Sequence, residues 1–515
     1  MPPLLLEVFK NRLSSVAEEM GIVLQRTSFS PNIKERKDLS CAIFDPAGNL
    51  VAQADHIPVH LGSMSSSVRE AINSVSFEEG DMVVLNDPYR GGTHLPDITL
   101  VAPVFHDGEI RFFVANRAHH SDIGGISSGS MPLSSSIYQE GLIIPPVKLI
   151  KRGELNRELS SLILSNVRTP EERLGDISAQ VMANKVGINR MRELLDLYGV
   201  ESMRKLCTEL ISYSERVMRS YISKIPEGTY EFEDFIEDDG MGREDIGIRV
   251  RLSVKGSSVR VDFSESDDQT EGPFNAVRSV TLSAVYYVFR SLLPEDVPTN
   301  EGCFRPIEVI TRRGSVLDPV PPAPVAGGNV ETSQRVVDVV LGALSKAIPE
   351  FVPAASQGTM NNLSVGGLDP RNRESFTYYE TIGGGMGAWA GGDGESAVHS
   401  HMTNTMNTPV EALEHAFPFL IREYSVRRGS GGEGKRRGGD GIVREIEFLS
   451  DVEVTVLSER RRIPPYGLFG GEPGERGINM VFREGRGEIR PGKFRERLRK
   501  GCILRIETPG GGGYA

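Results

Sequence analysis

Aspartate and histidine side chains gather in one short stretch of this chain. Nine histidines occur in 515 residues, and four of them lie between residues 87 and 122 together with several acids. The stretch has two parts. One runs Asn86-Asp87-Pro88-Tyr89-Arg90-Gly91-Gly92-Thr93-His94-Leu95-Pro96-Asp97. The other runs Asn116-Arg117-Ala118-His119-His120-Ser121-Asp122-Ile123-Gly124-Gly125. Imidazole nitrogen and carboxylate oxygen together suit Zn²⁺, Mn²⁺ or Fe²⁺. A site of this kind with an open position acidifies water and polarises a carbonyl, which is hydrolytic chemistry.

Two strands must position these groups. Ile98–Phe105 and Ile110–Asn116 are apolar runs joined by His106-Asp107-Gly108-Glu109, and Asp-Gly accepts the positive φ of a tight hairpin turn. With Phe105 opposite Ile110, counting back places Asp97 opposite Ala118. His94 then enters, and His119 leaves, the same end of the hairpin. One histidine at a strand end is ordinarily a hydrogen-bonded structural residue. Two histidines and an aspartate brought together by one hairpin point to a metal. His106, in the turn, is expected to be solvated.

Other candidates are weaker. In Asp55-His56-Ile57-Pro58-Val59-His60 the proline breaks a helix, so packing or ligand orientation is expected of this pair. His399 and His401 would splay to opposite faces of a strand. Gly429-Ser430-Gly431-Gly432-Glu433-Gly434-Lys435-Arg436 nearly spells a phosphate loop, but Arg stands where Ser or Thr would hold Mg²⁺ and no clear buried strand precedes it. Gly383–Gly387 and Gly327-Gly328-Asn329 read as tight turns near a ligand, or as plain loop geometry.

Bulk properties narrow the class. Apolar residues make up 39% and charged residues 25%, as in ordinary globular proteins. The net charge of -12 excludes phosphate neutralisation, and with it a nucleic-acid partner. The clusters Arg460-Arg461-Arg462 and Lys435-Arg436-Arg437 read as solvated turns. Cys41, Cys207, Cys303 and Cys502 show no CxxC spacing, so neither a disulfide framework nor a cysteine zinc site is expected. The N-terminus lacks signal-peptide features and no apolar run is long enough to span a membrane, so a cytoplasmic protein is expected.

The pattern of elements is α+β and multi-domain, with mixed sheets and an inserted helical segment. Residues 4–20 form an amphipathic helix. Thr169-Pro170-Glu171-Glu172 starts a helix with a capping box, and helix continues to about 223 with a break near Tyr198-Gly199. A β-rich stretch covers 229–264, helices 277–293 and 331–347, and strands 442–449, 452–457 and 502–507. These divide the chain into a metal-site α+β domain (1–165), a helical segment (166–228), an α+β domain (229–350) and a Gly-rich, β-rich C-terminal domain (351–515).

Several segments resemble the hydantoinase B/oxoprolinase family over essentially the whole chain. They are Asn86–Asp97, His119–Gly125, Asn166–Arg173, Asn404-Thr405 with Pro409–Glu411, Arg437–Gly441 and the closing Thr508–Gly513. The family includes the B subunit of N-methylhydantoinase, the C-terminal half of 5-oxoprolinase, the caprolactamase B subunit and the acetone carboxylase alpha subunit. The resemblance implies an ATP-dependent cyclic amide hydrolase acting on a hydantoin, 5-oxoproline or a lactam. A hydantoinase A/oxoprolinase-type partner subunit would handle ATP and Mg²⁺ in a hetero-oligomer. It further implies that Asp38, His94, Asp97 and His119 hold a divalent metal, Zn²⁺ or Mn²⁺, and that His120 and Asp122 orient ligands or move protons. Beside Arg36 and Lys37, Asp38 would otherwise read as a surface ion pair. A ketone carboxylase subunit, a non-catalytic scaffold for the A subunit and a stand-alone metal-binding protein are the alternatives. At Gly429, before Ser430-Gly431-Gly432, family members usually carry Asp, so any role of that Asp is in doubt here.

Overall fold

The computed structural model describes residues 3–54 and 56–515. Asp55, named above, lies outside the described residues. Seven antiparallel strands build the sheet that carries the Asp/His groups: β1 (Leu39–Phe44), β2 (Leu50–Gln53), β3 (Met82–Leu85), β4 (Asp97–His106), β5 (Glu109–His119), β6 (Val147–Lys151) and β7 (Glu154–Leu155). Their order is β2-β1-β5-β4-β3-β6-β7. The β4–β5 hairpin turns through Asp107 and Gly108, both at positive φ, as a two-residue Asp-Gly turn requires. His106, expected to be solvated, is partly exposed, with its ring 3.1 Å from the exposed carboxylates of Asp107 and Asp196.

The register corrects the simple count by one residue. Phe105 does face Ile110, but a bulge between Val104 and Phe105 shifts the ladder, so Asp97 pairs with His119 and Ile98 with Ala118. The shift brings a ligand-type residue opposite a ligand-type residue. On the other side of β5, Leu39 of β1 pairs with Ala118, which places Asp38 beside His119. Three adjacent strands therefore end at one place.

Helices cover this sheet. Phe9, Leu13, Met20 and Leu24 of helix Pro3–Thr27 are fully buried at helical spacing. Helix Pro170–Tyr198 starts at its proline and is followed, across Gly199, by helix Val200–Ile222. The capping box does not form. Thr169 makes no cap bond, and the Glu172 carboxylate bonds Ser121 and Arg173 rather than reaching back to Thr169. A second sheet (Gly228–Asp238, Glu244–Lys255, Ser258–Asp262, Ile307–Ile310) packs on helix Ser333–Ser345. One apolar core joins these parts and a second fills the space between two C-terminal sheets.

Arg460 and Arg461 are not in a solvated turn. Arg460 is fully buried and bonds Asp234 and Asp338 at 2.7 Å each, Arg461 is half-buried and bonds Asn361 and Asn479, and Arg462 is exposed. The segments rich in glycine are likewise structural. Gly511 donates to Gly439 O, Gly512 to Ala355 O and Gly513 to Glu472 O, so the closing residues thread between neighbouring chain segments. Contacts there are backbone to backbone. A Cβ on Gly511 would lie 1.9 Å from the carbonyl oxygen of Met386, and one on Gly385 1.9 Å from that of Gly439. The near-phosphate loop belongs to the same region, with Gly432 N bonded to Gly511 O.

Gly511→Ala should therefore destabilise the fold by at least about 3 kcal/mol, since the obstructing atom is backbone. Gly256→Ala, in a turn with no atom within 4 Å of the new methyl, should lose about 1 kcal/mol from its positive φ alone. Denaturant unfolding of the two variants measures the difference, and equal losses would contradict the backbone-packing account.

Candidate metal centre

His94, Asp97 and His119 meet at the common end of β4 and β5, all buried. His94 Nε2 lies 3.2 Å from His119 Nδ1, and each lies 3.3 Å from Asp97 Oδ1. Donor atoms bound at about 2.0–2.1 Å to one ion, at the tetrahedral angle, are about 3.3 Å apart. The triangle thus has the edge lengths of one face of a metal site.

The hydrogen-bond partners show what these atoms carry. His94 Nδ1 faces the carbonyl of Ala326 at 3.3 Å and must donate to it, leaving Nε2 bare in the neutral ring. Asp97 Oδ1 is an acceptor. With His119 neutral and bare at Nδ1, three lone pairs converge, and either a proton shared with Asp97 or a cation must sit among them. His119 Nε2 is buried without a hydrogen-bond partner. Burial lowers the His119 value and also acts on His94, but at His94 the charge of Asp97 prevails and raises it.

Asp97 is the centre of the arrangement. Burial pushes its carboxyl up, and the charge of His94 with hydrogen bonds from His119, His60 and His94 more than reverses this, holding it well below the usual carboxylate range. Its second oxygen is occupied separately. Thr93 Oγ1 donates to Oδ2 at 2.5 Å, Asn329 Nδ2 approaches at 3.4 Å and His60 Nε2 at 3.5 Å. His60 is itself fixed by Ser40 Oγ, 2.7 Å from its Nδ1. So His60 touches the centre through Asp97, in line with the orienting role expected of the His56/His60 pair. His56 instead accepts from the backbone N–H of Cys41.

Asp38 lines the same small cavity as Asp97, His60, His119 and Tyr379. Its carboxylate does not join the three-atom cluster. Burial raises its pKa against the opposing charges of His119 and Arg36. Arg36 is no surface group: it is fully buried over the Tyr379 ring and bonds the carbonyls of Tyr379 and Met406. Tyr379 stacks on His119, with ring centres 4.6 Å apart, and donates to Asn362. No spacing rule links Tyr379 or Asn329 to the histidines, since both arrive from other parts of the chain.

His120 and Asp122 are not brought to the triangle. His120 Nε2 pairs with Gln180 Oε1 at 3.0 Å, on helix Pro170–Tyr198. Asp122 accepts from the backbone N–H of Arg168 and from its guanidinium, at 2.9 and 2.8 Å. Ser121 accepts from Arg173 and donates to Glu172. This set of contacts locks the end of β5 to the helix. His399 and His401 lie in a loop rather than a strand and face different partners, Asn407 and Tyr287.

A family model described as hydantoinase B/oxoprolinase matches residues 2–515. The chain belongs to this family. A 5-oxoprolinase of Dictyostelium discoideum is 42% identical over all of this chain, which spans 40% of that protein's length. An uncharacterized protein of Methanocaldococcus jannaschii is 43% identical, with 100% of this chain and 91% of the other covered. Among solved structures, the ATP-dependent caprolactamase from Pseudomonas jessenii matches with a TM-score of 0.92 at 31% identity, over 100% of this chain and 91% of that one. The mixed α+β architecture is the one that family membership implies.

Two half-buried histidines away from the triangle make a pH test. Burial, reinforced by nearby positive charges, lowers His56 from 6.5 to about 4 and His399 from 6.5 to about 3. A folded-state value below the unfolded one favours the neutral ring. Its contribution is complete above the ordinary value of 6.5 and is lost as pH falls through that value towards the folded ones. Unfolding midpoints should drop on acidification from about pH 6.5 to about pH 4, and His399→Gln should flatten the drop. A wild-type profile that is flat across this window would contradict the assignment.

Proposed function

We propose that this chain is the metal-bearing component of an ATP-dependent cyclic amide hydrolase, opening a hydantoin, 5-oxoproline or lactam ring. The observation that carries the reading is the triangle of His94 Nε2, Asp97 Oδ1 and His119 Nδ1, with edges of 3.2–3.3 Å. These three would hold Zn²⁺ or Mn²⁺, and Asp38, on the wall of the same cavity, is the candidate for a fourth contact. A divalent ion there supplies Lewis acidity towards a carbonyl and a lowered pKa for water.

The chain's own residues do the rest. Thr93, His60 and Asn329 fix Asp97 through Oδ2, so that Oδ1 is presented to the ligand. Tyr379 covers the face of His119 and keeps bulk water from it. His120 and Asp122, assigned from the family pattern to ligand orientation or proton movement, act in this reading by holding β5 against the helix that carries Gln180. Hydrolysis of an unstrained amide is slow, so ATP chemistry is needed to activate the carbonyl oxygen. The near-phosphate loop is tied up in glycine packing, which supports assigning ATP to a hydantoinase A/oxoprolinase-type partner subunit. The remaining length of the Dictyostelium 5-oxoprolinase has room for the same task within one chain.

Co-expression with such a partner should give ATP-dependent ring opening of at least one among 5-oxoproline, hydantoin and caprolactam. Chelation should abolish it, and the double substitution His94→Ala with Asp97→Ala should remove both bound metal and turnover. Full turnover by metal-free protein would sink the proposal. A complex that assembles with the partner yet holds no stoichiometric metal would favour a scaffold instead.

A further inference from the structure

The Gly327-Gly328-Asn329 motif opens a single π-helical turn, Gly328–Thr332. Its glycines are dictated by contact with backbone. Gly328 N donates to Pro273 O at 3.0 Å, and a Cβ on Gly328 would sit 1.9 Å from Asn275 O. The turn is thus pressed against residues 273–275, and Asn329 projects from it to the wall of the cluster cavity. Turns of this type recur at functional sites.

The orientation of the Asn329 amide follows from chemistry. Its neighbour Asp97 Oδ2, 3.4 Å away, can only accept, so the group facing it is the NH₂. Oδ1 therefore points elsewhere. It is buried, in a side chain only 4% exposed, and has no hydrogen-bond partner. Leaving a buried carbonyl oxygen unpaired costs about 1–3 kcal/mol, so such an atom calls for a donor. The cavity it lines measures about 20 Å³ and is also walled by Asp38, His60, Asp97, His119, Met360 and Met402. One water needs about 10–15 Å³ by this kind of measure. A ring substrate does not fit in that space; one water does.

We propose that Asn329 is a positioning residue that holds one water in the cluster cavity, accepting its O–H at Oδ1 while Nδ2 stays on Asp97. The hydrogen bond fixes the orientation of that water and with it the direction of its oxygen lone pairs. The inference rests on the metal-centred reading above, and it does not depend on which ring is opened.

The test uses the full chain loaded with Mn²⁺. A high-resolution crystal structure should show a water oxygen about 3 Å from Asn329 Oδ1. In Asn329→Leu the ordered water should be lost, with one metal per chain retained and the thermal midpoint within a few degrees. In the ATP-coupled assay the same variant should lose about tenfold to a hundredfold in kcat with KM within about twofold. Asn329→Ala serves if the leucine does not fold. An empty position beside Oδ1 in the wild type overturns the inference. So does loss of metal in both variants, which would reduce Asn329 to a support for Asp97. If the water is present but no cyclic amide is hydrolysed, the substrate reading fails and the assignment of Asn329 stands.

Discussion

The site depends on one buried carboxylate. A charged group taken out of water is tolerated only when it is paired and hydrogen-bonded. At Asp97 the two oxygens divide that requirement. Oδ2 receives Thr93, His60 and Asn329, while Oδ1 closes the triangle with His94 and His119. The first set fixes the carboxylate and the second makes it useful. The five partners come from four elements: the loop before β4, which carries both Thr93 and His94, the short 3₁₀ turn Pro58–His60, the π turn after Gly327, and β5. The carboxylate therefore ties together segments that are more than 200 residues apart, and the centre is complete only when the whole chain is folded.

Two devices bring those segments close enough. The bulge in the β4–β5 hairpin moves Asp97 opposite His119, and the pairing of β1 with β5 sets Asp38 beside His119. Glycine provides the second device. The C-terminal segments rest on one another through backbone atoms, and the π turn rests on residues 273–275 in the same way. Packing at this separation leaves no room for a methyl group, so the glycine-rich character of the sequence is a consequence of proximity rather than of flexibility.

Much of this was legible in the sequence where the determinants are local. The Asp-Gly turn, the proline-started helix at 170 and the helices near 278–291 and 333–345 follow from spacing and turn chemistry. The convergence of His94, Asp97 and His119 follows from a single hairpin, and the one-residue error in register came from a bulge at Val104/Phe105, beside Pro103, whose place inside a strand was a signal for it. Asp38 came only through family resemblance, because strand pairing between β1 and β5 spans some 75 residues. Tyr379, Asn329 and His60 reach the centre through tertiary packing, and the buried Arg36 and Arg460 look like surface charges until their partners are known. On the Glu172 side the capping box at Thr169 is replaced by tertiary contacts, to Ser121 and Arg173.

The central claim is that His94, Asp97 and His119 form one face of a divalent metal site. Anomalous diffraction from crystals of the purified, unstripped protein tests it directly. A single peak is expected inside the triangle, about 2.0–2.2 Å from each of His94 Nε2, Asp97 Oδ1 and His119 Nδ1, at the absorption edge of a transition metal. A difference map with no peak there, and with His94 and His119 hydrogen-bonded to each other or to Asp97 alone, would contradict it.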